Sequence, residues 1–480
     1  MSEGRARRIL SYGVARGIAE GLLAARGLLL AALLGPSAFG VWTLFRVAGR
    51  YLGLAELALR RGMEYEAARA VEIQRPGPQR GERQSSAVPL GRAAVAFLVR
   101  LYGTIGVAAF LASFFVADPG TVLVLRALGL TLLAERLWLF ALAYMRSTGG
   151  LRRLAILEVT GAALHLLLVT ILAVRWGLVG ALIGFALACF ANMALVRPHV
   201  PLRPAISTPL LRRMLRVGLP FGITIALALG FQTVDRLVVA AFGGTTLLGY
   251  YALALSFGAM AASGASVIRT VVFPEVYGGV GHSGGVQTTA DLIEDTILPF
   301  ALAYPALLGL ASFAIGPTIR YFLPEYESAV WPARIMLFAG VGVGLSDLGS
   351  VGLVAVSRER VLPALAAVAF VFNLAFSVGV LQLGLGITAV AAGALLSRVG
   401  YGMAVLGVAA AASGSRQLRQ VLGRSILPLA YTLALVVALQ TAMPGRGGRS
   451  TLISALAYVV LLGPLFPAAR REFQRRRQDA

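Results

Sequence analysis

Several arginines of this sequence lie inside long apolar segments, where charged side chains are uncommon. Arg26 is in the first such segment, and Arg46 and Arg50 are in the second. The spacing of the last two places both on one face of a helix. A guanidinium is planar and binds phosphate through two parallel hydrogen bonds. These residues therefore predict a site for a phosphate-bearing anion. The other arginines assigned to the same predicted cavity are Arg136, Arg236 and Arg398.

Charges in apolar segments also have structural explanations. A charge near the centre of a bilayer costs about 2.5–3.5 kcal/mol or more unless it faces a cavity or a partner. An ion pair that joins two lobes of the protein is an equal alternative for Asp235 and Arg236. Glu135 and Arg136 are adjacent, so we expect their side chains to diverge and each to need another partner. For His165, an interior histidine with satisfied hydrogen bonds is favoured over a proton relay.

The elements that must position these residues are membrane-spanning helices. The chain is 58% hydrophobic and only 13% charged, against about 25% charged in soluble proteins. A spanning helix needs about 20 apolar residues, and the apolar segments do not alternate as barrel strands would. The sequence predicts an all-α, polytopic membrane protein of about fourteen spans. The spans are residues 9–34, 39–59, 93–117, 121–145, 155–175, 178–195, 217–242, 247–273, 297–322, 329–356, 361–383, 387–412, 426–443 and 452–466.

The loop arginines predict the orientation of these spans. Alternate loops are rich in arginine, among them residues 60–92, 197–216 and 416–424. Since arginine-rich loops stay on the cytoplasmic side, both termini are expected in the cytoplasm. The longest loop, residues 62–91, is polar and carries Pro and Gly breakers; it is expected to be partly disordered or to form a surface helix. A second polar loop is expected at residues 277–289, which is rich in glycine.

Two short sequences between spans resemble each other. Residues 35–44 and 244–253 both read Gly, three residues, apolar, Gly, any, aromatic, any, Leu. The even number of spans between them predicts a parallel repeat about an axis along the membrane normal. Chance similarity in a chain rich in Gly and Leu is the alternative. The repeat predicts an N-lobe at 1–200, a C-lobe at 201–415, and two further spans with a basic tail at 416–480.

Several function classes are disfavoured by what the sequence lacks. It contains 43 basic residues, all arginine, so a phosphate-binding loop ending in Gly-Lys-Ser or Gly-Lys-Thr is impossible. Its single cysteine, Cys189, and the absence of a zinc motif predict no metal site and no cofactor. The arginines follow the loops, so a nucleic-acid partner is not expected. We therefore predict a protein that is not an enzyme.

Taken in order, several motifs resemble one known family. They lie at residues 34–42, 52–61, 218–222, 235–236 and 249–253. The chain resembles the polysaccharide transporters, which are the O-antigen and exopolysaccharide flippases of the multidrug/oligosaccharidyl-lipid/polysaccharide exporter superfamily. The resemblance covers nearly the whole chain in order, spacing and helix count.

This resemblance implies two six-helix lobes in a V, with alternating access across the bacterial inner membrane. It implies an undecaprenyl-pyrophosphate-linked oligosaccharide as substrate, taken from an O-antigen, exopolysaccharide or capsule repeat unit. Membrane lipids, a polysaccharide polymerase and a chain-length regulator are the implied partners. Coupling to H⁺ or Na⁺ is common in the superfamily. The acidic residues that are candidates for it are Glu20, Glu56, Asp235 and Asp347.

Some of these roles stay open at the level of sequence. Ala58 and Arg60 follow Glu56 where the family has a small, Gly-rich turn, which leaves the coupling role of Glu56 undecided. Arg16 lies one helical turn before Glu20, so these two residues can simply pair with each other. The alternative functions are a multidrug exporter, a peptidoglycan-precursor flippase and, in another class, a membrane glycosyl polymerase or ligase. A cavity rich in arginine repels cationic drugs.

Overall fold

The structure is all-helical, as the apolar segments predict. The computed structural model describes residues 3–74, 80–147, 151–201, 203–283, 285–414, 418–443 and 448–463, and contains no strand within them. Its α-helices are α1 Glu3–Leu52, α2 Leu54–Gln74, α3 Arg80–Ala112, α4 Pro119–Ser147, α5 Leu151–Val196, α6 Thr208–Ser283, α7 Gly285–Leu292, α8 Leu298–Phe322, α9 Val330–Ala355, α10 Leu362–Gln382, α11 Gly386–Ala412, α12 Leu418–Ala442 and α13 Gly448–Leu461.

By length and apolar composition, nine helices within the described residues can cross a membrane. Large apolar side chains cover outward faces; on α10, Val368 and Val371 are 70% and 61% exposed. An exposed apolar surface of this kind is stable in lipid and not in water. The chain is therefore a multi-pass membrane protein, and the number fourteen stays a prediction.

Three pairs of predicted spans are joined without a loop. In α1 the helix is interrupted at Gly35, with φ 68° and ψ 171°. The interruption in α5 falls at Trp176 and Gly177, and that in α6 falls at Gly244, with φ 69° and ψ −171°. Positive φ is adopted readily only by glycine, which explains glycine at these positions. Gly35 and Gly244 begin the two repeat sequences, so both copies turn with nearly the same backbone conformation.

The second glycines of the two repeats approach each other's turns. A Cβ on Gly40 would overlap the backbone of Thr245, and a Cβ on Gly249 would overlap the backbone of Pro36. The hydroxyls of Ser37 and Thr245 lie 3.5 Å apart. The contact is thus reciprocal, because each copy inserts its second glycine against the residue that follows the first glycine of the other.

The predicted loop at residues 277–289 is wrong for the described residues. Residues 277–283 belong to α6 and residues 285–289 belong to α7, which continues through the π-helix Ile293–Ile297 into α8. Glycine costs a helix roughly 1 kcal/mol, but here the glycine serves packing. A Cβ on Gly285 would overlap the Ala355 carbonyl, and buried Thr289 donates a hydrogen bond of 3.1 Å to the Gly352 carbonyl. Contacts with α9 therefore outweigh the local propensity.

The predicted loop at residues 62–91 is helical on both sides of its centre. Helix α2 extends to Gln74 and α3 begins at Arg80. Pro76, Gly77 and Pro78 lie outside the described residues. The polar residues of this segment therefore extend two helices beyond their apolar spans.

The chain forms two compact units. Unit 1 comprises residues 1–233 and 243–249, and unit 2 comprises residues 234–242 and 250–480. In unit 1 the core lies around Phe140, Tyr144 and Tyr102, with side chains from α2 to α5. Unit 2 is centred on α9 and α11, which approach closely because a Cβ on Gly342 would overlap the backbone of Arg398. The division at residues 200 and 415 stays a prediction.

Candidate anion site

Two glutamates and three arginines form a connected set of ion pairs inside unit 1. We name it the arginine–glutamate cluster; its members are Arg46, Glu56, Arg60, Glu135 and Arg136. Glu135 is its bridge: Oε1 accepts a hydrogen bond of 2.8 Å from Arg46 Nη1, and Oε2 accepts one of 3.1 Å from Arg136 Nη2. The cluster thus joins α1 to α4.

The side chains of Glu135 and Arg136 point to the same place, contrary to the prediction. Glu135 and Arg136 do not diverge, since they form an ion pair with each other. Each also has a second partner, as expected: Arg46 for Glu135 and Glu56 for Arg136. Helix α4 is buried on nearly every side from residue 134 to residue 138, so both side chains must turn towards the same polar neighbours.

Arg136 is held where α1 meets α2. Its Nη2 donates a hydrogen bond of 2.9 Å to the Gly49 carbonyl, and its Nη1 lies 3.6 Å from Glu56 Oε2. A Cβ at Gly53 would overlap the Arg136 guanidinium. The glycine between the two helices therefore leaves room for the guanidinium.

Glu56 is fully buried. Arg60 Nη1 lies 3.8 Å from Glu56 Oε1. Neither carboxylate oxygen of Glu56 has a hydrogen bond within the described residues, although both have ion-pair neighbours. The Glu56 backbone N–H donates to the Tyr102 hydroxyl at 3.2 Å. Glu56 is thus a buried carboxylate with unused hydrogen-bond acceptors.

Arg26 and Arg46 are linked by aromatic rings. The Arg26 guanidinium lies 5.7 Å from the centre of the Trp42 ring, and that of Arg46 lies 4.4 Å from the centre of the Phe185 ring. The two rings meet edge to face, 5.8 Å apart. The faces of such rings attract cations and also hold the guanidinium planes in place.

Arg26 lacks the carboxylate that Arg46 has. Within the described residues no Asp or Glu lies at ion-pair distance from Arg26, and its buried Nε has no hydrogen-bond partner. Arg26 interacts electrostatically with both Arg46 and Glu135, so it belongs to the same polar region. Counting Arg26, four arginines stand against two glutamates. The region carries net positive charge and can hold an anion.

Arg50 and Arg46 differ in their surroundings. Arg46 is half-buried and paired with Glu135, whereas Arg50, one turn further along α1, is exposed. The cavity role predicted for the two together stays a prediction.

Unit 2 holds a separate buried ion pair. The Asp235 side chain is fully buried and lies 3.4 Å from Arg398 Nη2. It also accepts a hydrogen bond of 2.7 Å from the Tyr251 hydroxyl and one of 2.8 Å from the Arg236 backbone N–H. Both carboxylate oxygens therefore have partners, and Asp235 forms a buried ion pair within unit 2.

Glu20 and Asp347 pair with other arginines, and Arg236 contributes its backbone N–H to Asp235. Glu20 pairs with Arg16 at 3.2 Å on the exposed side of α1. Asp347 lies 3.6 Å from Arg269. Arg236 is half-buried in α6. The predicted residues thus lie in several places: Arg26, Arg46, Arg136 and Glu56 come together in unit 1, and Asp235 comes together with Arg398 and the Arg236 backbone in unit 2.

Sequence reasoning missed the residues that organise the cluster. The sequence showed Glu135 as an intramembrane charge but not that it pairs with both Arg46 and Arg136. It also did not show that the rings of Trp42 and Phe185 lie under two of the guanidinium groups. Arg60 was placed in a loop. A usable signal for Glu135 was its position next to an arginine in a helix that is otherwise almost entirely apolar.

Comparisons with known proteins agree with this fold. A family model described as polysaccharide biosynthesis protein matches residues 29–315. One similar solved structure is the inward-facing conformation of a multidrug resistance MATE family transporter of the MOP superfamily. It has a TM-score of 0.63 and 15% identity, and the alignment covers 86% of this chain and 99% of that one. Searching the curated protein sequences gives no match.

A second similar structure is a MOP superfamily transporter from Pyrococcus furiosus. Its description states that the reverse polarity of its binding pocket suggests a different function. The TM-score is 0.59 at 15% identity, with 86% of this chain and 96% of that chain covered. At such low identities these structures show only the fold of this chain and not its function. The fold is that of the MATE and MOP transporters.

Proposed function

This chain belongs to the polysaccharide biosynthesis protein family, and we propose that it is a flippase for an undecaprenyl-pyrophosphate-linked oligosaccharide. The substrate would be the repeat unit of an O-antigen, exopolysaccharide or capsule, moved across the bacterial cytoplasmic membrane by alternating access. A polymerase and a chain-length regulator would act on it next. Both termini of the protein would face the cytoplasm.

One observation carries the proposal: arginines outnumber glutamates in the polar interior of unit 1. Arg26 has no carboxylate at ion-pair distance within the described residues, and its guanidinium lies beside Trp42. A pyrophosphate carries negative charge and many acceptor oxygens, so it matches guanidinium donors that are fixed in place. The lipid tail stays in the bilayer while the charged group enters the polar region.

The other members of the cluster would set up this binding. Glu135 fixes the orientation of Arg46 through a hydrogen bond of 2.8 Å. The Arg136 guanidinium is held by the Gly49 carbonyl and by Glu135. Rotation of these side chains is restricted before the substrate arrives, which lowers the entropy cost of binding.

Glu56 is the acidic residue best placed for coupling to H⁺ or Na⁺. It is fully buried, and its carboxylate oxygens have no hydrogen bond within the described residues. Loss of its negative charge would release Arg60 and Arg136 from their ion pairs and increase the local positive charge. Asp235, in contrast, has partners on both oxygens.

The charge of the cluster argues against the export of cationic drugs. Like charges repel, and an arginine-rich site excludes cations at close range. Drug resistance of cells that express the protein should therefore equal that of empty-vector cells.

For the enzymatic alternative, purified protein in proteoliposomes should move a lipid-linked oligosaccharide without lengthening it. Lengthening of the glycan would establish a polymerase and remove the flippase.

The test is Arg26→Gln in cells whose own copy of the gene is deleted. We expect the amount of surface polysaccharide to fall by about tenfold or more, because the loss of one charge-assisted hydrogen bond weakens binding by about that factor. The amount of folded protein should not change, because no buried carboxylate loses its partner.

A matched control is Arg334→Gln in unit 2. Arg334 is buried and lies over the Trp331 ring at 5.0 Å from its centre, and like Arg26 it has no carboxylate at ion-pair distance within the described residues. It does not belong to the cluster. Export should be unchanged in this variant. Normal export with Arg26→Gln, or equal loss in both variants, would contradict the proposal.

A further inference from the structure

A pocket outside the cluster is lined by three arginines. It has a volume of about 380 Å³, and its lining residues are Arg92, Arg197, Val200, Pro201 and Arg203. Volumes of roughly 300–1,000 Å³ are typical of ligand sites. All lining residues belong to unit 1. We name this feature the arginine pocket.

The segment that follows α5 builds the pocket by folding back on α3. Val196 and Val200 are buried in the same core cluster of unit 1 as Leu90 of α3. The Ala205 backbone N–H donates a hydrogen bond of 3.2 Å to the Arg92 carbonyl. A Cβ on Gly91 would come within 2.8 Å of Pro201, so glycine at this position lets the segment approach. The backbone around the pocket is therefore fixed by packing.

The charges of the arginine pocket are uncompensated. Arg92, Arg197 and Arg203 are exposed, and none has a carboxylate at ion-pair distance within the described residues. This differs from Arg213 nearby in the chain, which pairs with Glu66 at 2.7 Å. Three guanidinium groups around one concave surface strongly favour an anion.

Two arginines of the pocket lie at the ends of candidate membrane spans. Arg92 is one turn inside the candidate span Val88–Ala112, and Arg197 directly follows the candidate span Arg152–Val196. Residues at such positions are level with lipid headgroups. Phospholipid phosphates lie at this depth, and basic pockets of membrane proteins bind them.

We propose that the arginine pocket binds the phosphate of an anionic phospholipid headgroup. Val200 and Pro201 form the apolar part of the pocket and contact the glycerol region, while the three guanidinium groups hold the phosphate. The site is distinct from the arginine–glutamate cluster and does not depend on the transported substrate. Its ligand is a resident lipid of the membrane in which the protein works.

The test compares two triple variants of the full-length protein in detergent. The first is Arg92→Gln, Arg197→Gln and Arg203→Gln. The matched control is Arg152→Gln, Arg153→Gln and Arg212→Gln, which removes the same charge from exposed arginines of unit 1 that do not line the pocket. One arm titrates short-chain phosphatidylglycerol, and the other titrates inorganic phosphate. Elution volume and thermal unfolding verify that each variant is folded.

We expect the pocket variant to bind phosphatidylglycerol about tenfold more weakly than the wild type. The control variant should stay within about twofold, since dispersed surface charges add little. Equal losses in both variants would show diffuse attraction to basic loops and overturn the proposal. A loss confined to the inorganic phosphate arm would assign the pocket to a free anion, and it would equally overturn the lipid assignment.

Discussion

The buried Asp235–Arg398 pair of unit 2 and the arginine–glutamate cluster of unit 1 hold arginine in opposite ways. In unit 2, Arg398 faces Asp235, and the remaining acceptor capacity of that carboxylate is filled by the Tyr251 hydroxyl and the Arg236 N–H. In unit 1, the cluster keeps more guanidinium groups than carboxylates. A balanced buried pair satisfies itself and has no need of a ligand. An unbalanced set has unused donors, so a buried arginine indicates a binding site only when its partners are counted.

The largest expected effect breaks the balanced pair in unit 2. Arg398→Met leaves Asp235 charged and fully buried, which should lower the free energy of unfolding by about 3–5 kcal/mol. Thermal unfolding in detergent measures it. The double variant Asp235→Leu with Arg398→Met removes both charges and should recover most of the loss. A double variant as unstable as the single one would show that packing, and not charge, governs this pair.

The next effect removes the bridge in unit 1. Glu135→Gln leaves Arg46 and Arg136 without their shared carboxylate, and we expect a loss of about 2–3 kcal/mol. The loss is smaller than in unit 2 because 26% of the Arg46 side chain is exposed to screening. The same melting measurement applies. A stability equal to the wild type would show that the arginines of the cluster do not need Glu135.

A smaller effect follows from removing one arginine of that bridge. Arg46→Gln should cost about 1–2 kcal/mol, since Glu135 retains Arg136 as its partner. Arg46→Lys keeps the charge but loses the planar stacking on Phe185, so it should recover the stability only in part. Full recovery by lysine would mean that the stacking contributes nothing. Both variants are compared with Glu135→Gln in the same detergent.

The smallest effect is expected at the exposed pair of α1. Glu20→Gln breaks the contact with Arg16, whose side chain is 51% exposed while that of Glu20 is 41% exposed. Solvent screens such pairs, and pairs of this spacing contribute about 0.3–0.5 kcal/mol. The melting temperature should hardly change. A loss comparable to that of Glu135→Gln would contradict the distinction between exposed and buried pairs.

The sequence predicted the helices better than it predicted their connections. The apolar segments predicted the ends of α4 and of α8 to α12 to within a few residues. The exception is the amino terminus of α12. Local glycine content misled at residues 277–289, because contacts with α9 hold that segment helical. Local propensity amounts to about 1 kcal/mol per residue, and packing overrides it.

For the candidate site, the residue types were readable but their partners were not. Arg26, Arg46 and Arg136 were recognisable because a charge in an apolar segment is costly wherever it lies. Nothing in their spacing showed that Glu135 bridges two of them while Arg26 is left without a carboxylate. Within the arginine–glutamate cluster, ion pairs join residues that are up to 89 positions apart in the chain. Such distances are set by helix packing.

The sequence by itself determined that this is an all-α membrane protein, because hydrocarbon admits only helices and closed barrels, and the apolar segments do not alternate as barrel strands would. It also showed which residues of the apolar segments carry a charge. Only the tertiary structure decided which of these charges pair with each other and which, such as Arg26, have no carboxylate at ion-pair distance within the described residues. That outcome depends on ångström-scale distances between helices, and these are fixed by close contacts such as that of Gly53 with Arg136.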